Sequence, residues 1–261
     1  MILKRHILIT NDDGIGAKGV SALIEMARPF GELTVVAPKE AQSGMSSAVT
    51  FNTPIRLFEC KREEGLACYV CTGTPVDCVK IGLNQLFPAQ MPDLLLSGIN
   101  HGSNASAAVL YSGTLGAAAE GALYDIPSIG FSLTTHHDPD ADFDAAIHYG
   151  REILAQYLIH PPARNVYLNI NIPDIPKEEV MGIRLARQGK GAWIKEFEKR
   201  IDPHGTHYYW LTGEFRNDEP NEPNTDSNLL DQKYITIVPH QIDTTHYAEL
   251  ERLGQLWHFE K

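Results

Sequence analysis

The sequence predicts an α/β protein, a mostly parallel sheet covered by helices on both faces, followed by a smaller β-rich part. Three observations predict it. Short β-branched runs alternate with helical segments through the first 172 residues, the first run breaks off in Asn11-Asp12-Asp13-Gly14 before a helical pattern, and after Gly182 the strands become more polar and aromatic. The first strand is read at residues 6–10, its helix at 20–27, and a second buried strand at 33–37. Further strands fall at 93–97 and 128–133, separated by a small-residue helix at 115–124. A helix at 143–159 and a strand at 165–172 close this part. Beyond it, residues 184–188, 207–211 and 234–238 read as antiparallel strands, interrupted by a polar stretch at 217–228 and ended by an amphipathic helix at 245–256. Residues 1–181 thus form the catalytic part and 182–261 an extension expected to build a subunit contact.

At 261 residues the chain can bury a large core without covalent staples. A formal charge of -11 argues against a nucleic-acid groove, which needs clustered Lys and Arg. No apolar run approaches the roughly 20 residues that span a bilayer. Four cysteines without a signal peptide point to free thiols in a reducing cytoplasm. Cys68 and Cys71 form a C-x-x-C, but no second ligand pair follows at zinc-site spacing.

In an open parallel sheet, ligands bind beyond the carboxyl ends of the strands, so the loops at 11–19, 38–47 and 98–113 are expected on one rim. The first holds Gly14-Ile-Gly16-Ala-Lys-Gly19, which matches a dinucleotide fingerprint. The second strand, however, ends in Val36-Ala37-Pro38 with no acid for a ribose, and a pyrophosphate would meet Asp12 and Asp13. Each such charge pair is repulsive by roughly 4 kcal/mol at about 4 Å and an effective dielectric near 20. A cation reverses that sign.

An Asp-Asp-Gly alone is equally a turn. Here Ser43, in Gln42-Ser43-Gly44, and Asn100, in Ser97-Gly98-Ile99-Asn100, bring two more hard oxygen donors to the rim. Asp12, Asp13, Ser43 and Asn100 together make an oxygen-only set suited to Mg²⁺ or Mn²⁺, with positions left for water and a substrate phosphate. None of the eleven histidines is assigned to it; His136 and His137, and His204 and His207, are placed off the rim. Gly102-Ser103-Asn104 and Tyr111-Ser112-Gly113-Thr114, the latter opening a helix, read as an anion seat or as an ordinary helix cap. There is no G-x-x-x-x-G-K-[ST].

In order and spacing, these segments resemble the SurE family of survival-protein 5'-nucleotidases. The resemblance rests on Thr10-Asn-Asp-Asp-Gly14, Val36-Ala-Pro38 with Gln42-Ser-Gly44, Gly73-Thr-Pro-Val-Asp-Cys78, Ser97-Gly-Ile-Asn100 with Gly102 and Asn104, and Tyr111-Ser-Gly-Thr114 through Glu120-Gly121. It continues through Leu168-Asn-Ile-Asn-Ile-Pro173, Thr225-Asp226 and Tyr234-Ile-Thr-Ile-Val-Pro239. It implies a Rossmann-like three-layer domain with a C-terminal extension exchanged between subunits of a homodimer or homotetramer. It implies one divalent metal cation per subunit on Asp12, Asp13, Ser43 and Asn100, and phosphate contacts from Asn104, Ser112, Gly113 and Thr114. The implied reaction is hydrolysis of nucleoside 5'- and 3'-monophosphates, with short polyphosphate cleaved by some relatives. On this resemblance Asp12 and Asp13 would be the catalytic pair, with Asp12 as base toward water or as the nucleophile. Two places depart from the family pattern: Gln42 stands where an Arg is frequent, and Ser106-Ala107-Ala108 where Gly-Asp-Asp is. A metal-dependent nucleotide sensor without turnover is the alternative from another functional class.

Overall fold

The computed structural model describes residues 5–135 and 141–259; His136 and His137 lie outside the described residues. The central sheet is entered at β1 (Arg5–Thr10). Its middle, Ile7-Leu8-Ile9, is continuously apolar because both faces are covered: Ile7 and Ile9 point into one core and Leu8 into the other. Helix α1 (Lys18–Ala27) returns the chain to β2 (Gly31–Pro38), and the hairpin of β3 (Leu57–Glu63) and β4 (Leu66–Cys71) follows. Next come α2 (Pro75–Leu86), β5 (Leu94–His101), α3 (Gly113–Leu123), β6 (Ser128–Leu133), α4 (Asp144–Ile159) and β7 (Val166–Ile172). The sheet order is β3-β4-β2-β1-β5-β6-β7-β13-β8, and the six strands from β4 to β7 are mutually parallel.

Two layers of core result. Leu23 and Met26 of α1 and Leu154 of α4 pack with Ile7, Leu96, Phe131 and Ile170 on one face, while Val79 and Leu83 of α2 pack with Leu8, Val36 and Leu95 on the other. The α/β reading with a mostly parallel sheet and a terminal helix is therefore correct. The β3–β4 hairpin and α2 were not read from the sequence. Cys60 breaks the alternation of β3 at a register shift between Glu59 and Lys61. The start of α2 is nevertheless marked in the residues: Thr74 and Asp77 form a capping box and Pro75 occupies the first turn.

Past residue 182 the chain forms β8 (Ile183–Leu185), β9 (Gly191–Ile194), β10 (Phe197–Ile201), β11 (His207–Leu211), β12 (Glu214–Asn217), α5 (Asp226–Asp231), β13 (Ile235–Gln241) and α6 (Tyr247–Leu256). The expectation of antiparallel strands needs correction here. β13 does run antiparallel to β7, but β8 runs parallel to β13, so both extend the main sheet. The expected strand at 184–188 ends at Leu185; Arg187 instead makes an isolated bridge to Thr225 and a paired contact to Glu219 at 2.8 and 3.0 Å. Only β10–β11 and β9–β12 stand apart as antiparallel hairpins. His204 and His207 belong to the exposed β10–β11 hairpin. The polar stretch 217–228 is an ordered turn, in which Asn228 donates to the carbonyls of Glu219 and Glu222. No helix among the described residues is long and apolar enough to cross a membrane.

Candidate active site

The end of β1 delivers Asp12 into the sheet rim, where it is only 4 % exposed. Its partners come from the first turn of α3. Thr114 Oγ1 donates to Asp12 Oδ1 at 2.6 Å, and the Thr114 amide also faces the carboxylate. Gly113 leaves little room here: a Cβ at that position would lie 3.0 Å from Asp12 Oδ2 and 3.2 Å from Pro75 Cγ. The amino end of α3 therefore meets Asp12, with Pro75 of α2 beside it. Burial, reinforced by Asp13, outweighs these hydrogen bonds and pushes the Asp12 carboxyl up to about 6.

Asp13 faces the end of β5. The backbone N–H of His101 donates to its Oδ2 at 3.2 Å, and the His101 ring stands 3.4 Å from the same oxygen. The strand bulges between Ser97 and Asn100. Gly98 sits at φ +124°, where an added Cβ would meet the Phe131 carbonyl at 2.3 Å, and Gly19 lets α1 press on the Ile99 carbonyl, which a Cβ would approach to 1.9 Å. The glycine pattern after β1 thus serves a tight turn and a close helix–strand contact. Asn100 commits its amide N–H to the Gly102 carbonyl at 2.7 Å, which orients its oxygen as the remaining donor.

Ser43 lies exposed on the loop after β2. The loop is tied to the site on both sides: Gln42 N–H donates to the Asp12 carbonyl at 2.7 Å, and Ser46 bonds to the carbonyls of Tyr111 and Leu110 at 3.1 and 2.9 Å. Gly116 makes this possible, since a Cβ there would stand 2.2 Å from the Ser46 carbonyl oxygen. Farther along, Asp77 accepts from Thr50 Oγ1 at 2.6 Å and Thr74 Oγ1 donates to the Ala48 carbonyl at 2.7 Å, fixing the rest of the loop to the start of α2.

The expected phosphate-binding residues divide in their surroundings. Ser112 caps α3 by accepting from the Leu115 N–H at 3.1 Å, which leaves its hydroxyl proton to give. The Thr114 hydroxyl proton is already committed to Asp12. Asn104 is buried and donates to Ser132 Oγ at 2.7 Å, while its backbone N–H and carbonyl are held by Asn171 and Asn169 at 2.8 and 2.9 Å. Two asparagines at alternate positions of β7 face the same side, and Asn171 donates to Asn169 Oδ1 at 2.9 Å. Asp226 ties the loop to the extension: it accepts from Ser106 N–H and Gly189 N–H at 2.9 Å each and from Ser227 N–H at 2.8 Å. Reasoning from residue types missed His101, Ser132 and the acceptor role of Asp226. For the asparagines a signal existed, two amides inside an otherwise apolar strand.

The donor set fits a hard cation. Among the described residues no group of three His, Cys, Asp or Glu side chains stands together as metal ligands, so a cation at Asp12 and Asp13 would be completed by neutral oxygens, the chemistry of Mg²⁺ and Mn²⁺. Two adjacent carboxylates, one nearly buried, are the groups that such a charge would relieve.

The family model for survival protein SurE matches residues 7–195. A protein named 5'-nucleotidase SurE from Phocaeicola vulgatus is 44 % identical over 257 residues, covering 98 % of each chain. One of the same name from Bacteroides thetaiotaomicron is 43 % identical, covering 96 % of this chain and 95 % of its own. Among solved structures, the SurE protein from Aquifex aeolicus superposes with a TM-score of 0.83 at 34 % identity, over 96 % of this chain and 99 % of that one. With the fold matched and the relatives aligned over nearly the whole length, this chain belongs to the SurE family.

Proposed function

We propose that this protein is a divalent-metal-dependent phosphatase that hydrolyses nucleoside 5'-monophosphates to nucleoside and phosphate, with 3'-monophosphates and short polyphosphate as further substrates. One observation carries the reading: a nearly buried carboxylate, beside a second one, lies against the first turn of a small-residue helix. Negative groups gather there only where positive charge is supplied, and the relatives' name supports the substrate class. A cation on Asp12, Asp13, Ser43 and Asn100 would supply that charge against a phosphoryl group. Ser112, the Gly113 N–H and Asn104 hold phosphoryl oxygens at the amino end of α3. Thr114 holds Asp12 by one oxygen, so that Asp12 either takes the proton from the attacking water or attacks phosphorus itself.

The extension supports assembly as a homodimer or homotetramer. Phe197, Tyr209, Trp210 and Leu211 on its hairpin and Leu250 and Trp257 on and after α6 are exposed, apolar side chains of the kind a subunit contact would cover. A cytoplasmic location fits the free thiols.

The test is phosphate release from a panel of mononucleotides by metal-stripped protein, with Mg²⁺ or Mn²⁺ restored, alongside Asp13→Asn. Turnover that requires the metal and is abolished by the substitution is expected. Saturable nucleotide binding with no release from any substrate would instead make the protein a sensor.

A further inference from the structure

Resting on the reading just given, we infer that Trp193 and Phe215 form the nucleobase subsite of this chain. A cavity of about 300 Å³ opens beside the phosphate loop, lined by Ser103, Ala105, Thr134, Trp193, Phe215 and Leu230. Its volume lies at the lower end of ligand-sized pockets.

Its position matches the dimensions of the substrate. Thr134 follows β6, and β6 is separated from β1 by β5 alone. At 4.7–4.9 Å per strand, β6 runs about 10 Å to the side of β1, and it ends three residues beyond Gly130, which is level with Thr10 through Ser97. The sugar of a nucleotide separates phosphate from base by a distance of that order. Ser103 and Ala105 flank Asn104 in sequence, so one loop borders both the phosphate seat and the cavity.

The wall is aromatic. Trp193 and Phe215 are direct cross-strand partners in β9 and β12, with ring centroids 5.8 Å apart at 66°. Gly191 gives Phe215 room to lie across the hairpin, since a Cβ there would come within 2.3 Å of its ring. Trp193 remains 37 % exposed, leaving indole surface for a flat ring. The wall is also held in place relative to Asn104, because Asp226 accepts from Ser106 N–H on the loop and from Gly189 N–H at the entry to β9. Of the polar groups bordering the cavity, Ser103 is engaged with Asn171, whereas Thr134 only accepts from the Asp174 N–H and keeps its proton, Ser227 Oγ is buried without a partner among the described residues, and Asp231 also lines the wall. Stacking on the aromatic wall is thus joined by polar groups able to meet the edge of the base.

The experiment compares kcat/KM on AMP with that on ribose 5-phosphate, which keeps the sugar and phosphate but has no base. For Trp193→Ala the AMP to ribose 5-phosphate ratio is expected to fall about tenfold to a hundredfold, the range of a lost base–aromatic stack, and Trp193→Phe is expected to restore most of it. An unchanged ratio, whatever the absolute rates, overturns the subsite. If the wild-type protein releases phosphate from neither compound, the phosphatase reading fails instead. Quenching of tryptophan fluorescence by adenosine then decides the pocket: quenching that disappears in Trp193→Phe supports it, and no quenching overturns it.

Discussion

Asp12→Asn separates the cost of the site from its use. The carboxyl has its midpoint near 6 in the folded chain against 3.8 for an unperturbed aspartate, chiefly because it is buried. At about 1.4 kcal/mol per pH unit, that difference amounts to roughly 3 kcal/mol by which ionised Asp12 destabilises the metal-free protein above about pH 7. The sign follows from proton counting. Between the two midpoints the folded state binds more protons than the unfolded one, so stability falls as pH rises through about 4 to 6 and the full penalty stands above that window. An asparagine keeps the shape and can still accept from Thr114 Oγ1, so the substitution removes mainly the charge. In chelator at about pH 8, Asp12→Asn is expected to be more stable than wild type by about 3 kcal/mol, or roughly 6–12 °C in melting temperature for a chain of this size. At about pH 5 the gap should shrink to about half. With Mg²⁺ or Mn²⁺ at about 100 times its dissociation constant, the wild type should regain about 2.7 kcal/mol and the variant far less. Thermal melts with and without metal at the two pH values measure all of this. A variant no more stable than wild type in chelator at the higher pH, or a gap that does not change with pH, would refute the reasoning.

Thr114→Val removes the hydroxyl that holds Asp12 Oδ1; activity or metal affinity is expected to fall about 10- to 100-fold, with Thr114→Ser near wild type in steady-state kinetics. Gly116→Ala drives a Cβ against the Ser46 carbonyl, a backbone atom that no rotamer change relieves. About 1–3 kcal/mol of stability should be lost, and calorimetric metal titration should show weaker binding as the loop carrying Ser43 shifts. Asp226→Ala leaves the Ser106 and Gly189 amides without their acceptor; a loss of about 1–3 kcal/mol for each amide left buried and unpaired should appear in denaturant melts, together with faster hydrogen exchange at both amides.

The sheet was legible wherever burial on both faces made a strand continuously apolar. Ile7, Leu8 and Ile9 mark β1 without ambiguity, and the span 128–133 coincides with β6 to the residue. For β8 the span 184–188 starts inside the strand and overruns its end at Leu185, and the direction is wrong, because three partly exposed residues beside β13 carry no alternation and direction depends on where the chain returns. At the site, residue types pointed to Asp12, Asp13 and the start of α3 only in combination with Ser43 and Asn100, since an Asp-Asp-Gly alone is as readily a turn and a Ser before a helix as readily a cap. Commitments among side chains could not be read there. Nothing in the letters shows that the Thr114 proton goes to Asp12, that His101 leans on Asp13, or that Asp226 reaches across 120 residues to Ser106.

These commitments explain how a site with an internal electrostatic cost stays in place. Each of three rim segments is held by a buried polar anchor separate from Asp12 and Asp13: the segment after β2 by Thr74 and Asp77, the one after β5 by Asn169 and Asn171, and the far end of that loop by Asp226. Glycines at 19, 98 and 116 then close the remaining distance, because each of these contacts is too short for any side chain. The rim is consequently fixed by groups that do not depend on the charge at its centre. Neutralising Asp12 should therefore raise stability without loosening the loops, whereas removing an anchor should loosen them with the carboxylates untouched. A site assembled by its cation would behave the other way, with chelation exposing the amides of residues 102–106 to exchange.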